Sequence, residues 1–177
     1  MNRARGTNNL FSYFSSAENT QLKERFKAET VIEDVKNQIK TLAGETKFDL
    51  TELNDSLLLP KATIVEWGAI FQNIFINAFN ATLESKKKII KVSSRSEWND
   101  REILIQDTGS GVNLDEAERL FQPFVRNMDI PSERQARGFG GMGLGLTIVR
   151  LIANSIGCEV RFIKPEENFS TTFSIKW

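Results

Sequence analysis

The most informative segment of this chain is Asp107-Thr-Gly-Ser-Gly-Val112. It follows an apolar run and contains two closely spaced glycines. Residues 102–106 carry Ile103 and Ile105 on one side, with Leu104 between them, which predicts a buried strand. Asp107 ends this predicted strand, and Gly109 and Gly111 permit tight backbone turns and close approaches. The stretch therefore predicts a sharp turn that carries a carboxylate at the edge of a sheet.

A long helix is predicted upstream of this turn, at residues 63–83. Asn73 and Asn77 are four residues apart, so their side chains lie one above the other on one face, and Asn80 extends that face. Amide oxygens are hard ligands that suit Mg²⁺, although asparagines on a solvated helix face are also ordinary. The opposite, buried face is predicted from apolar residues that recur every three or four positions, namely Ile64, Trp67, Phe71, Ile74, Ala78 and Ala81.

A second helix is predicted at residues 144–156, and it begins within Gly140-Gly-Met-Gly-Leu-Gly-Leu146. The N-terminus of a helix presents unpaired N–H groups and the positive end of the dipole, which attract phosphate oxygens. Residues 122–143 show no periodicity, and a loop of that length is usually functional or disordered. These features together predict a nucleotide site, because they provide a carboxylate for a base, amide oxygens for a metal and unpaired N–H groups for phosphates. Each glycine-rich segment alone could also be a turn or a hinge.

The remaining periodicity predicts a two-layer α/β sandwich with helices on one face of a mixed, mainly antiparallel sheet. Residues 1–27 are interpreted as an N-terminal linker or helical extension, and residues 28–177 as the domain. An apolar stripe from Ala28 to Leu42 predicts a packing helix over residues 28–43 that stops at Gly44. Asn113 and Glu116 have capping-box spacing for a short helix. Strands are predicted at residues 47–50, 56–59, 89–94, 102–106, 159–163 and 171–176.

The composition limits the partners of this 177-residue chain, which has 23 Lys plus Arg and 23 Asp plus Glu residues. This balance disfavours a general attraction to nucleic acid, and the Lys86-Lys87-Lys88 run is interpreted as a favourable helix end. The single cysteine, Cys158, excludes an intrachain disulfide and indicates a reducing compartment. The sequence has no apolar run of membrane-spanning length. We therefore expect a cytoplasmic domain without direct membrane contact, and whether a longer protein is membrane-anchored stays open.

Four segments, in this order along the chain, resemble the N, G1, F and G2 boxes of the ATP-binding domain of sensor histidine kinases, a member of the Bergerat-fold ATPases. Asn73-Ile-Phe-Ile-Asn77-Ala78 resembles the N box and Asp107-Thr-Gly-Ser-Gly111 the G1 box. Leu120-Phe-Gln-Pro-Phe124 resembles the F box, and Gly141-Met-Gly-Leu-Gly-Leu146 the G2 box. Thr171-Thr-Phe173 is similar to the final strand of that family. The resemblance covers the chain from about residue 28 to its end.

The resemblance implies ATP and Mg²⁺ as cofactors and assigns roles to the matching residues. Asn77 would ligate Mg²⁺, Asn73 would be the catalytic residue beside the phosphates, Asp107 would recognise adenine, and Thr171 would support the base. Asn80, which stands where many of these kinases have Lys, would also border the ATP. Residues 125–140 would be the ATP lid, with Arg126 and Arg137 as phosphate donors. The other residues implied to border the nucleotide are Gly109, Gly111, Gly141, Gly143, Leu144 and Gly145.

The resemblance also implies partners, because the family phosphorylates a histidine on a helical dimerisation domain and this chain has none. We expect that domain upstream in the same gene or in trans, and a response regulator downstream. Two alternatives stay open: an ATP-hydrolysing clamp of the gyrase type, and a non-catalytic nucleotide-binding interaction module. The clamp class carries a Glu general base at the position of Asn73, and an amide cannot take a proton from water.

Overall fold

The structure is a computed structural model that describes residues 22–126 and 142–177. In chain order, the elements in these residues are helix α1 (Ala28–Ala43), strand β1 (Lys47–Glu52), helix α2 (Ile64–Thr82), strands β2 (Ile89–Glu97) and β3 (Asp100–Asp107), a 3₁₀ helix (Ala117–Phe121), helix α3 (Gly145–Ser155), and strands β4 (Glu159–Ile163) and β5 (Thr171–Lys176).

The described strands form one mixed sheet in the order β1-β2-β3-β5-β4. Strand β1 runs parallel to β2, and the other neighbouring pairs are antiparallel. The register pairs Asp107 at the end of β3 with Thr171 at the start of β5. The predicted sandwich with a mixed, mainly antiparallel sheet is confirmed. The G1 stretch lies at the C-terminal end of β3, which is the central strand of the sheet.

The core lies between one face of the sheet and the helices. Alternate strand residues such as Ile90, Ile105 and Phe173 are buried in one apolar cluster with Val35 of α1 and Phe71 of α2. Because the side chains of a strand alternate between its faces, this pattern assigns Asp107 and Thr171 to the helix-facing side of the sheet. Both residues are buried at the end of the layer where α2 and α3 also meet.

Most element bounds follow the predictions from periodicity. The bounds of α1, β4 and β5 are those predicted, while β1, β2 and β3 are each longer than predicted. Helix α2 begins one residue later because Thr63 is its N-cap, and α3 ends before Gly157, which has a φ of 76°. Within the described residues, no helix combines the length and apolar character needed to cross a bilayer.

The strand predicted at residues 56–59 is wrong. Asn54 Oδ1 accepts hydrogen bonds from the N–H and hydroxyl of Ser56, at 2.9 and 2.8 Å, so this segment begins as a turn. Within residues 56–59, Leu58 makes an isolated bridge to Lys27, and beyond them Ala62 makes a second one to Glu24. Residues 22–27, which we assigned to the extension before the domain, thus lie antiparallel to residues 57–62, with isolated bridges instead of a ladder.

Two predictions about side chains near helix starts are also wrong. Asn113 does not cap an α-helix: its Oδ1 accepts from the N–H of Asp115 at 3.1 Å, and a 3₁₀ helix follows with Glu116 at its N-cap. Ile64, predicted on the buried face of α2, is 40% exposed, because it is the first residue of the helix, whereas Trp67 about one turn later is buried. The side chain of Leu42 lies outside the described residues.

Strand β3, predicted as a buried strand, is buried on both faces from Leu104 onward. Leu104 and Gln106 point away from the helices and are nevertheless fully buried. The loop between β4 and β5 is tied to the same face of β2: Glu166 forms an ion pair with Arg95, and Phe169 lies under the Lys91 ammonium. The loop is also hydrogen-bonded to the end of β3, because the N–H of Ser170 donates to the carbonyl of Asp107 at 2.8 Å.

Candidate nucleotide-binding site

Helix α2 carries the asparagine run, and a capping box fixes where this helix begins. Thr63 Oγ1 accepts a hydrogen bond from the N–H of Glu66 at 3.1 Å, and Glu66 Oε2 accepts from the N–H of Thr63 at 2.7 Å. The buried Trp67 ring donates its Nε1–H to the carbonyl of Pro60 at 3.1 Å. These contacts set the rotation of α2, and so determine which of its side chains face α3.

Asn73, Asn77 and Asn80 lie about one turn apart on α2, and they differ in exposure. Asn73 is half-buried, and its Nδ2 donates to the carbonyl of Ala69 at 2.7 Å, which leaves Oδ1 directed toward Gly145 of α3. Asn77 is exposed, whereas Asn80 is buried. The predicted polar face exists, but only its middle residue is open to solvent.

Asp107 is a buried carboxylate, 4% exposed, at the end of β3. Its Oδ1 accepts a hydrogen bond from the N–H of Gly109 at 2.8 Å, and the Thr171 side chain forms a second hydrogen bond to it. Burial raises the pKa of Asp107 above its ordinary value, and these two hydrogen bonds oppose the shift only in part. A buried acceptor of this kind favours a ligand that brings its own N–H donor.

The G1 turn packs directly on the last turn of α2. A Cβ atom on Gly109 would lie 2.6 Å from the carbonyl carbon of Ala81, so this approach requires glycine. The N–H of Ser110 donates to the carbonyl of Ala81 at 3.2 Å. Gly111, next along the turn, lies against the Ser170 carbonyl. The G1 turn is therefore in contact with the C-terminal end of the helix that carries the N box.

The N-terminus of α3 meets α2 on the other side of the site. Leu144 is the N-cap, and Gly145 begins the helix so close to α2 that an added Cβ would lie 2.8 Å from Asn73 Oδ1. Gly143 has a φ of 75°, which glycine adopts without strain, and its carbonyl accepts from the N–H of Phe124 at 2.9 Å. The first turn of α3 thus presents its free N–H groups beside Asn73.

The F box packs under α3. The Phe121 ring lies against Phe162 and Phe173, with centroids 5.7 and 6.0 Å away, and the hydroxyl of Thr147 donates to the Phe121 carbonyl at 3.0 Å. Arg150 of α3 stacks on the outer face of the same ring. Sequence reasoning identified the F box but missed Thr147 and Arg150, because their partners are distant along the chain.

The lid residues are only partly within the described chain. Arg126 is exposed and lines a shallow cavity of about 120 Å³ together with Val112, Asn113 and Arg119. Arg137, Gly141 and the lid beyond residue 126 lie outside the described residues. The structure brings Asn73 and Gly145 together, packs the G1 turn on the end of α2, and pairs Asp107 with Thr171.

A buried carboxylate at a strand end, an amide on the facing helix and a glycine-rich helix start define this as an α/β sandwich of the nucleotide-binding class. Residues 64–177 match the family described as histidine kinase-, DNA gyrase B- and HSP90-like ATPase. The chain belongs to this family, and the resemblance seen in its four boxes is confirmed.

Its relatives within the family are sensor kinases. The chain is 31% identical over 139 residues to the signal transduction histidine-protein kinase ArlS of Staphylococcus aureus strain USA300, which covers 78% of this chain and 29% of that protein. The chain thus spans less than a third of the length of this curated relative.

Solved structures of sensor kinases share the fold. The mycobacterial sensor histidine kinase MprB superposes with a TM-score of 0.69 at 21% identity, over 88% of this chain and 96% of that one. The nucleotide-free catalytic domain of histidine kinase ThkA gives a TM-score of 0.61 at 20% identity, over 87% and 93% of the two chains. At these identities the likeness shows the fold.

Proposed function

We propose that this chain is the catalytic domain of a two-component sensor histidine kinase: it binds ATP with Mg²⁺ and transfers the γ-phosphoryl group to a histidine outside this chain. The family, the kinase relatives and the geometry around Asn73 support this proposal. Transfer of a phosphoryl group depends mainly on positioning and charge stabilisation, which a rigid site of amides and N–H groups can provide.

The contact between Asn73 and Gly145 carries the proposal. Asn73 Nδ2 donates a hydrogen bond to the carbonyl of Ala69, so Asn73 Oδ1 faces the start of α3, where the phosphates would lie. An ATP-hydrolysing clamp needs a general base at this position, and an amide cannot take a proton from water. The same amide can still orient a phosphoryl group for attack by an imidazole that another segment supplies.

The residues at the other end of the site suit adenine. The exocyclic amino group of adenine is a donor where guanine has a carbonyl oxygen, and Asp107 is a buried acceptor. Thr171 already forms a hydrogen bond to that carboxylate and would hold it toward the base. Gly109 and Gly111 would line the base pocket, since their lack of side chains keeps the turn thin.

The donor set suits a nucleotide-bound Mg²⁺, which keeps substrate phosphates and water among its ligands and needs few from the protein. Within the described residues, no three His, Cys, Asp or Glu side chains are grouped so that they could hold a metal by themselves. Asn77 is the exposed amide of the N box and would provide the protein oxygen. Bound Mg²⁺ would neutralise part of the phosphate charge.

The partners in this proposal are a helical dimerisation domain that bears the histidine and a response regulator downstream. The 177 residues contain no histidine, so phosphorylation must occur on another segment or chain. We place the domain in the cytoplasm, where ATP is available and where a free thiol such as that of the buried Cys158 persists.

Incubation with γ-labelled ATP and Mg²⁺ tests the proposal. The chain alone should bind ATP without labelling itself, and addition of the His-bearing helical domain of its own kinase should give acid-labile label on that domain. The Asn73→Ala variant should abolish this label. Rapid hydrolysis of ATP by the chain alone would instead place it in the clamp class, and absence of ADP binding in calorimetry would favour the interaction module.

A further inference from the structure

Arg150 of α3 holds the 3₁₀ helix through two kinds of contact. Its Nη1 and Nη2 donate to the two carboxylate oxygens of Glu118, at 2.8 and 3.2 Å, in the bidentate geometry that guanidinium groups favour. Its Cζ lies 3.5 Å from the centroid of the Phe121 ring. The Arg150 side chain is 29% exposed and that of Glu118 is 75% exposed. The Phe121 ring covers one face of the Arg150 guanidinium group, while Glu118 stays open to solvent.

The same two segments are joined again closer to the N-terminus of α3. One turn before Arg150, the hydroxyl of Thr147 donates to the carbonyl of Phe121 at 3.0 Å. Four residues before Thr147, the carbonyl of Gly143 accepts from the N–H of Phe124 at 2.9 Å. We call the contacts among Glu118, Phe121, Thr147 and Arg150 the Phe121 junction.

The Phe121 junction leads to the phosphate end of the proposed site. Gly145 lies between Gly143 and Thr147, the two residues that are hydrogen-bonded to Phe124 and Phe121. A Cβ atom added to Gly145 would lie 2.8 Å from Asn73 Oδ1. The Phe121 ring packs on Phe173, in the strand that also carries Thr171, so the junction fixes the first turn of α3 relative to the sheet. A shift of that turn would move the free N–H groups of α3 relative to Asn73 while Asp107 stayed in place.

We propose that Arg150 is a positioning residue: through the Phe121 junction it holds the first turn of α3 against Asn73 and thereby sets the affinity for the phosphate part of the nucleotide. This inference rests on the proposed function. Arg150 itself is about one and a half turns of helix beyond Gly145, so it acts through Phe121 and Thr147. It has no part in adenine recognition, which lies with Asp107.

The ratio of ADP affinity to adenosine affinity tests this role, because it cancels any general loss of folded protein. Arg150→Met keeps the aliphatic stem and removes the guanidinium group. We expect its ADP affinity in calorimetry to fall about fivefold while its adenosine affinity, from NMR titration, changes less than about twofold. Arg150→Lys should recover part of the ratio, because an ammonium group can reach Glu118 but cannot bind it in bidentate geometry.

Arg161→Met is the matched control, since Arg161 forms a surface pair with Glu159 on β4 at 3.4 Å and alternates in the strand with Phe162, the residue that packs on Phe121. This control should keep the wild-type ratio. If Arg150→Met does not fold, Glu118→Gln changes only an exposed partner and should lower the ratio in the same direction by about twofold. An unchanged ratio in the folded Arg150 or Glu118 variant would overturn the inference, whereas absence of ADP binding by the wild type would overturn the proposed function instead.

Discussion

Asn73 and Gly145 join the two helices of the site so closely that a Cβ atom on Gly145 would lie 2.8 Å from Asn73 Oδ1. The Asn73 side chain cannot easily rotate away, because its Nδ2 donates to the carbonyl of Ala69 at 2.7 Å. A contact below 3 Å between a carbon atom and an amide oxygen is repulsive, so only glycine fits at this position. The N and G2 boxes are therefore coupled by steric fit, in addition to the nucleotide that we propose they share.

Gly145→Ala should separate these helices. The new methyl group must displace either Asn73 or the first turn of α3, and such overpacking costs about 1–3 kcal/mol of stability. Because the displaced groups are those proposed to meet the phosphates, ADP affinity should fall by about tenfold or more. Thermal unfolding and isothermal titration calorimetry measure the two effects.

Gly68→Ala is the control for that substitution. Gly68 lies within α2, and an added Cβ there has no atom within 4 Å. Alanine should stabilise the helix by about 0.5–1 kcal/mol and leave ADP affinity unchanged. If Gly145→Ala binds ADP as tightly as Gly68→Ala does, the close approach to Asn73 has no role in binding.

Asp107→Asn should weaken the binding of adenine nucleotides specifically. The substitution keeps the size of the side chain and turns one acceptor into a donor that faces the amino group of adenine, which costs about 1–3 kcal/mol of binding free energy. Wild type should bind ADP and not GDP in calorimetry. Asp100→Asn, at the exposed start of the same strand, should leave ADP affinity unchanged. Equal ADP affinity in all three proteins would remove Asp107 from the base pocket.

The sequence predicted those parts of the fold that depend on neighbours along the chain. Strand β5, with apolar Phe173 and Ile175 on one face, has the bounds that its alternation indicates. Helix α3 ends before Gly157, whose positive φ is a local property. The order and spacing of the four boxes likewise identified the family of this chain. They also marked Asn73, Asp107 and the glycine-rich start of α3 as predicted site residues.

The remaining features depend on partners that are distant in sequence. Arg150 and Glu118 are 32 residues apart, and no local pattern marks either of them as part of a junction with Phe121. Residues 56–59 have the composition of a strand, but among the described residues Leu58 makes one isolated bridge, to Lys27, and no ladder forms there. Gln106 is fully buried, and its strand neighbour Lys91 lies over Phe169, which is 63 residues beyond Gln106 along the chain.

Asp107→Asn should also make the apo protein more stable at neutral pH. Burial raises the folded-state pKa of Asp107 above 3.8, so the folded protein holds that proton more tightly than the unfolded chain does. The stability that this group contributes is complete below the unfolded-state pKa and is lost as the pH rises through the raised pKa.

The Asn side chain cannot ionise, and its Oδ1 can still accept the N–H of Gly109. The unfolding free energy of the variant should therefore exceed that of the wild type at pH 7, and the difference should shrink as the pH falls toward 4. Urea denaturation at the two pH values measures this difference. A variant that is less stable than the wild type at pH 7 would show that the hydrogen bonds to the carboxylate outweigh its desolvation.

Asn77→Ala should weaken nucleotide binding only when Mg²⁺ is present. Asn77 is the exposed amide of the N box, and in the proposed site it contacts the nucleotide through the metal. We expect calorimetry with Mg²⁺ to show at least about a tenfold loss of ATP affinity, and calorimetry in EDTA to show the same ADP affinity as the wild type. Asn154→Ala, which removes an exposed amide from the far end of α3, should change neither value. An equal loss with and without Mg²⁺ would mean that Asn77 contacts the nucleotide directly or supports the helix, and that the metal takes its protein ligand elsewhere.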